Sequence, residues 1–174
     1  MMMRCQIWLI YLINMKTFKE FITENTDFDK EVWLSQQKYK INPDTTIDID
    51  GDVNLYAMNL TKLPFKFGKV TGDFNCSKNS LITLDGCPKS VGGDFYCNYN
   101  KLTTLEGGPT SVGGKFYCSE NRLTTLKGSP ESVGGIFSCI YNYLTTLKGC
   151  PKRVGGMFCC YQNETLTKLD YLPE

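Results

Sequence analysis

The chain has 174 residues, with 19 Lys and Arg against 18 Asp and Glu. This near-neutral balance excludes the basic footprint of a nucleic-acid binder, and the apolar content excludes a charge-rich disordered chain. Histidine is absent, which removes the commonest general base and the commonest metal ligand.

At the N-terminus, Arg4 precedes the apolar run Ile7-Trp8-Leu9-Ile10-Tyr11-Leu12-Ile13. A bilayer needs about 20 such residues, and Asn14-Met15-Lys16 lacks the small residues of a signal-peptide cleavage site. The expectation is an apolar extension over 1–14 without stable membrane insertion, and Met15 competes with Met1 as the natural start. Residues 15–50 are expected to form a helical N-terminal cap over the first coil of a repeat array, an independent docking arm being the alternative. Thr17 and Glu20 have capping-box spacing, with Phe18, Phe21 and Ile22 on one face. A second helix is predicted from about Asp29 to Lys38, with acids at its start, bases at its end and Val32 and Trp33 as its buried edge. Asn42-Pro43 stops it. Ile47 and Ile49 then alternate with polar residues toward the turn Asp50-Gly51.

Residues 51–174 repeat with a period of 21. Phe recurs at 74, 95, 116, 137 and 158, Cys at 76, 97, 118, 139 and 160, and Asn at 79, 100, 121, 142 and 163. Leu recurs at 81, 102, 123 and 144 and at 84, 105, 126 and 147, while Val, Gly-Gly and Pro keep the same frame. The unit upstream has Met58 in place of the asparagine. The last unit carries one extra residue after Asn163, so its leucines fall at Leu166 and Leu169. Atypical end units are expected of a stacked array.

The segment Gly-x-x-Phe-x-Cys-x-x-Asn-x-Leu-x-x-Leu resembles the leucine-rich-repeat family. Glycine stands where that family's first leucine belongs. This variant looks like the Gly-Gly-x-Phe-x-Cys repeat proteins of tailed bacteriophages and bacteria. The resemblance implies a mainly β solenoid of about six coils, with a parallel concave sheet and little convex helix. It also implies an internal asparagine ladder and, if the source is viral, a host protein as partner.

The residues give the same fold. Phe95-Tyr96-Cys97 alternates inward, outward, inward, as a strand does, and Leu102, Leu105 and Val112 close the core. The asparagine amide is expected to pair with backbone groups of its own and the adjacent coil. Gly-Gly is expected to supply backbone angles that side chains forbid, and the recurrent proline argues against helix in the return segment. Five of the nine cysteines, at 76, 97, 118, 139 and 160, are locked to the repeat, so they read as small buried hydrophobes in a reducing compartment rather than a disulfide framework. A cytoplasmic location follows, host cytoplasm for a viral protein.

Sites for chemistry are discounted in turn. No Cys-x-x-Cys occurs, so zinc is not expected. Asp48-x-Asp50-x-Asp52 imitates a calcium loop, but Val53 and Asn59 occupy its glycine and glutamate positions. The glycosylation patterns at Asn59 and Asn163 read as chance. No helix start follows the glycine pairs, so they are no phosphate cradle. No cofactor and no enzymatic activity are expected.

The remaining candidate is the outward face. Its rows are Asp73, Asn75 and Ser77; Asp94, Tyr96 and Asn98; Lys115, Tyr117 and Ser119; Ile136, Ser138 and Ile140; and Met157, Cys159 and Tyr161. Tyr96, Tyr117, Ile136, Ile140, Met157, Tyr161, Asp94 and Lys115 are the expected partner-binding residues of a non-catalytic module, either a monomer or weakly self-associating. The partner is expected to be a protein rather than nucleic acid. The alternative is a structural spacer or self-associating component of a larger particle.

Overall fold

A computed structural model describes residues 30–173. The apolar extension, the proposed capping box and the first predicted helix therefore lie outside the described residues. The described part belongs to two compact units, which divide after Gln37.

In the first unit, helix α1 (Lys30–Ser35) is shorter than expected. Bonds of the i to i−3 type close it, from Gln36 N to Trp33 O and from Gln37 N to Leu34 O. Its buried residues are Lys30 and Leu34. The expected buried edge is corrected, because Val32 is 53% exposed and Trp33 half-buried. In the second unit, β1 (Tyr39–Ile41) and β2 (Ile47–Ile49) form an antiparallel hairpin. Its turn is tied by Asp44 Oδ1, which accepts from Thr46 N at 3.1 Å and Thr46 Oγ1 at 2.7 Å.

The repeat builds a parallel β solenoid. The sequence predicts one ladder of strands, and the structure has two. One runs through β3 (Val53–Asn54), β5 (Phe74–Asn75), β7 (Phe95–Tyr96), β9 (Phe116–Tyr117), β11 (Phe137–Ser138) and β13 (Phe158–Cys159). The other runs from the hairpin through β4 (Phe67–Val70), β6 (Ser90–Val91), β8 (Ser111–Val112), β10 (Ser132–Val133) and β12 (Arg153–Val154). The valine that precedes each Gly-Gly pair is thus a strand residue, and the pair is the corner between the ladders. The stretch from asparagine to proline is turns and irregular chain, as the proline predicts.

Register is identical from coil to coil, Phe on Phe and Val on Val. The five phenylalanine rings from Phe74 to Phe158 therefore stack at 5.0–5.5 Å between centroids. Cys76, Cys97, Cys118 and Cys139 line the core beside them, and the leucines close it. Asn121 shows how the turn is held. Its Nδ2 donates to Cys97 O at 3.0 Å, Cys118 O at 3.1 Å and Ser119 O at 3.2 Å, while its Oδ1 accepts from Leu102 N at 3.0 Å. Asn79, Asn100, Asn142 and Asn163 repeat this pattern. The residue before each asparagine adopts a left-handed backbone, with φ from 52° at Lys78 to 56° at Gln162.

The glycine pairs act differently from expectation. Their φ values lie outside the left-handed region. What they provide is close approach: a Cβ on Gly113 would lie 2.2 Å from Gly92 O, and one on Gly134 would lie 1.9 Å from Gly113 O. At the second glycine of the earlier pairs the neighbour is a carboxylate, 2.1 Å from a Cβ on Gly93 or Gly114.

Two tests address the turn and the corner. Asn121→Ala strands the buried Leu102 N–H, a loss of about 1–3 kcal/mol for that group alone. Asn121→Asp keeps that acceptor but turns a carboxylate toward three carbonyls, so its urea midpoint should be no higher than that of the alanine variant. Gly113→Ala drives a Cβ into backbone and should cost about 1–3 kcal/mol. Gly135→Ala meets Lys115 Cγ at 3.0 Å, a side chain that can move, and should cost less in the same assay.

Candidate functional site

The strand alternation that turns Phe and Cys inward carries the intervening residues to the opposite face. Tyr96 and Tyr117 occupy the same position in β7 and β9, and their rings stack at 5.4 Å with 9° between planes. Both are half-buried, as are Ile136 and Ile140. Met157 and Tyr161 are 63% and 61% exposed. Tyr96 and Tyr117 lie in β7 and β9, and Ile136, Ile140, Met157 and Tyr161 flank β11 and β13 of the same ladder. The face is flatter than its sequence suggests. Ser77, Ser119 and Ser138, expected among its outward residues, are buried, and the Ser119 and Ser138 hydroxyls lie 2.9 Å apart.

Asp94 and Lys115 flank the tyrosines, and Asp94 is already engaged. Its Oδ1 accepts from Lys115 N at 2.6 Å and its Oδ2 from the Tyr96 hydroxyl at 2.7 Å, with Lys115 Nζ at 4.0 Å. Desolvation, reinforced by Asp94, pushes the Tyr96 hydroxyl well above the usual phenol range. Asp94 is one rung of a second ladder that sequence reasoning missed. Asp52 Oδ1 accepts from Asp73 N at 2.8 Å, and Asp73 Oδ1 accepts from Asp94 N at 2.7 Å. Each carboxylate caps a corner N–H of the following coil, a charge-assisted bond. The period shows these aspartates in one column, but only the corner geometry shows what they bind.

A second tyrosine set was also missed. Tyr99 and Tyr141 occupy the left-handed position before the ladder asparagine, and each is 48% exposed. Lys78 Nζ lies 5.4 Å from the Tyr56 ring centre and 5.8 Å from that of Tyr99, within cation–π range. A shallow groove of about 470 Å³ beyond them is lined by Glu120, Tyr141, Tyr143, Gln162, Glu164 and Thr165. The signal for this edge is the residue before each asparagine, which the inward pattern leaves unconstrained.

The described residues contain no cluster of His, Cys, Asp or Glu arranged to hold a metal ion, and no helix among them is long and apolar enough to cross a membrane. Cys87, Cys97, Cys118 and Cys139 are sealed in the core, and desolvation raises each thiol above its ordinary range. No family model, curated protein or solved structure matches the chain.

The buried thiols make stability pH-dependent. A thiol ionises near pH 8.5 when unfolded but stays protonated in the fold. The native state therefore binds more protons in alkali, and stability, fully present below the unfolded value, declines as pH rises past it. Each such thiol contributes about 1.4 kcal/mol of loss per pH unit once its unfolded form is ionised. Urea midpoints measured between about pH 7 and pH 10 should fall, and Cys118→Ala should shallow the decline. A flat profile would contradict sealed thiols.

Proposed function

We propose that this chain is a non-catalytic protein-binding module of the leucine-rich-repeat type. Its partner docks on the ladder face that carries Tyr96, Tyr117, Ile136, Ile140, Met157 and Tyr161. The observation that supports this most is the continuity of that surface. The stacked tyrosine pair is followed by aliphatic and thioether side chains in the successive coils, and exposure increases toward Met157 and Tyr161. Tyrosine supplies a large contact area at low conformational cost, and such residues dominate interface energetics.

The surroundings suit a protein surface. Asp94 and Lys115 form a polar rim of opposite charges beside the tyrosines, as expected around an interface core. The stacked rings are fixed before binding, which lowers the ordering cost. By the resemblance of its repeat to phage proteins, the partner is a host protein met in the host cytoplasm.

Affinity purification with the wild-type chain and a Tyr96→Ala, Tyr117→Ala double variant tests the proposal. Partner recovery at limiting bait should fall at least about tenfold when two anchors of this kind are lost. Equal recovery by a double variant with an unchanged circular dichroism spectrum and urea midpoint would exclude this face as the docking site.

A further inference from the structure

The ladder that contains β13 follows one bonding rule. Each strand donates its Phe and Cys N–H groups to carbonyls of the following coil. Phe116 N donates to Ile136 O at 2.7 Å and Cys118 N to Ser138 O at 2.9 Å. Phe137 N donates to Met157 O at 2.9 Å and Cys139 N to Cys159 O at 2.9 Å. In β13 the corresponding groups are Phe158 N and Cys160 N. They meet no backbone carbonyl among the described residues. The carbonyl of Cys139 accepts from the amides of both Asn142 and Asn163, whereas that of Cys160 accepts from Asn163 alone.

The core is open at the same edge. Phe137, Cys139 and Val133 are 0%, 0% and 2% exposed, while Phe158, Cys160 and Val154 are half-buried. Around them Met157, Tyr161, Leu169, Tyr171 and Leu172 are each more than half exposed. At the other end of the array Val53 and Leu55 are 1% and 0% exposed. The two ends of the solenoid are therefore unlike in how far their core residues are covered.

We propose that β13 is the seam of a twofold dimer, in which it pairs antiparallel with β13 of a second copy. The geometry follows from which residues are already bonded. Residue i of a strand points its N–H and C=O to the same side. Phe158 and Cys160 face the open edge, and Cys159 faces β11. A twofold axis through Cys159 therefore sets Phe158 opposite Cys160 of the second copy, with N–H···O bonds in both directions. Cys159 meets Cys159 of the second copy at a position without hydrogen bonds, where side chains are closest. On the outer face Met157 meets Tyr161 of the second copy, and the reciprocal pair forms beside it, a favourable thioether–aromatic contact.

A second copy suits this edge because every contact is its own complement under the twofold. The exposed apolar side chains and the half-buried Phe158, Cys160 and Val154 give the edge apolar surface to bury beside its unpaired N–H groups. Pairing joins the two ladders into one continuous sheet and removes two free edges, which otherwise invite uncontrolled association. The seam takes Met157 and Tyr161 from the far end of the docking face proposed above and leaves Tyr96 and Tyr117 uncovered, so the Tyr96→Ala, Tyr117→Ala variant tests docking without touching the seam.

Sedimentation velocity over a wide protein concentration range, under reducing conditions, tests the seam. The wild-type chain should move from monomer to dimer without larger species. Met157→Asp and Tyr161→Asp, both at exposed positions, should each weaken the dimer at least tenfold while preserving the circular dichroism spectrum. A short bis-maleimide should link wild-type and Cys160→Ser chains into covalent dimers and leave Cys159→Ser monomeric. A chain that stays monomeric at all concentrations would overturn the proposal. So would a dimer indifferent to both aspartate variants, or equal cross-linking of Cys159→Ser.

Discussion

A parallel coil buries its turn only if the polar groups of that turn find partners, and here one side chain type meets that demand. The ladder asparagine donates to carbonyls of two successive coils and accepts from a backbone N–H of the earlier one. No other side chain of that length combines two donors with an acceptor in a plane. Aspartate lacks the donors, and serine lacks the reach and the second donor. Once the asparagine is fixed, so is the register. Phe then lies on Phe, Cys on Cys and Leu on Leu, and each core column becomes a stack of like side chains. The stacked rings at 5.0–5.5 Å follow from that register rather than cause it.

The register also explains the glycines and aspartates at the corner between the ladders. Two parallel ladders that meet at a tight bend bring backbone against backbone, and a Cβ at Gly92, Gly113, Gly134 or Gly155 would fall within 2.3 Å of the preceding coil's carbonyl oxygen. The bend turns one N–H per coil away from both ladders. In the first coils a carboxylate from the preceding coil takes it. Corner, turn and core are thus separate solutions to one problem: every backbone polar group in a coil must be met by the coil before or after it.

The sequence makes some of these layers plain and conceals others. Inward columns are legible because a residue that must be Phe, Cys, Asn or Leu recurs in frame, and period with alternation then gives the fold. The second ladder is hidden because Ser-Val is too short a run to announce a strand by itself. Strand pairing with copies of itself, not local preference, makes it one. The acids and bases between Asp27 and Lys40 are arranged as in a longer helix than the one that forms. Lys38 leaves that pattern because its carbonyl accepts from Asp50 N at 2.8 Å, at the open end of the hairpin. For the buried serines, alternation gives the correct side but not the depth, since it says nothing of how far a short side chain reaches. The glycine pairs suggest unusual backbone angles when one repeat is read alone, because contact between coils is invisible in a single repeat.

Where the array departs from its own rules is where surface chemistry enters. Asp52, Asp73 and Asp94 each cap the corner N–H of the next coil. The same column then continues as Lys115, Ile136 and Met157, none of which can accept that bond. Those coils give up a charge-assisted hydrogen bond that the preceding coils keep. In its place they set an ammonium, a branched aliphatic and a thioether beside the stacked tyrosines. Such exchanges weaken a scaffold and equip a surface, and proteins break their structural regularities mainly at functional sites. The substitutions also run in one direction, from carboxylate to exposed apolar group, and end at the strand whose edge and core are both open. Scaffold and surface therefore separate by column within each coil. The inward columns are fixed by stacking, and the corner and outward columns are free to vary.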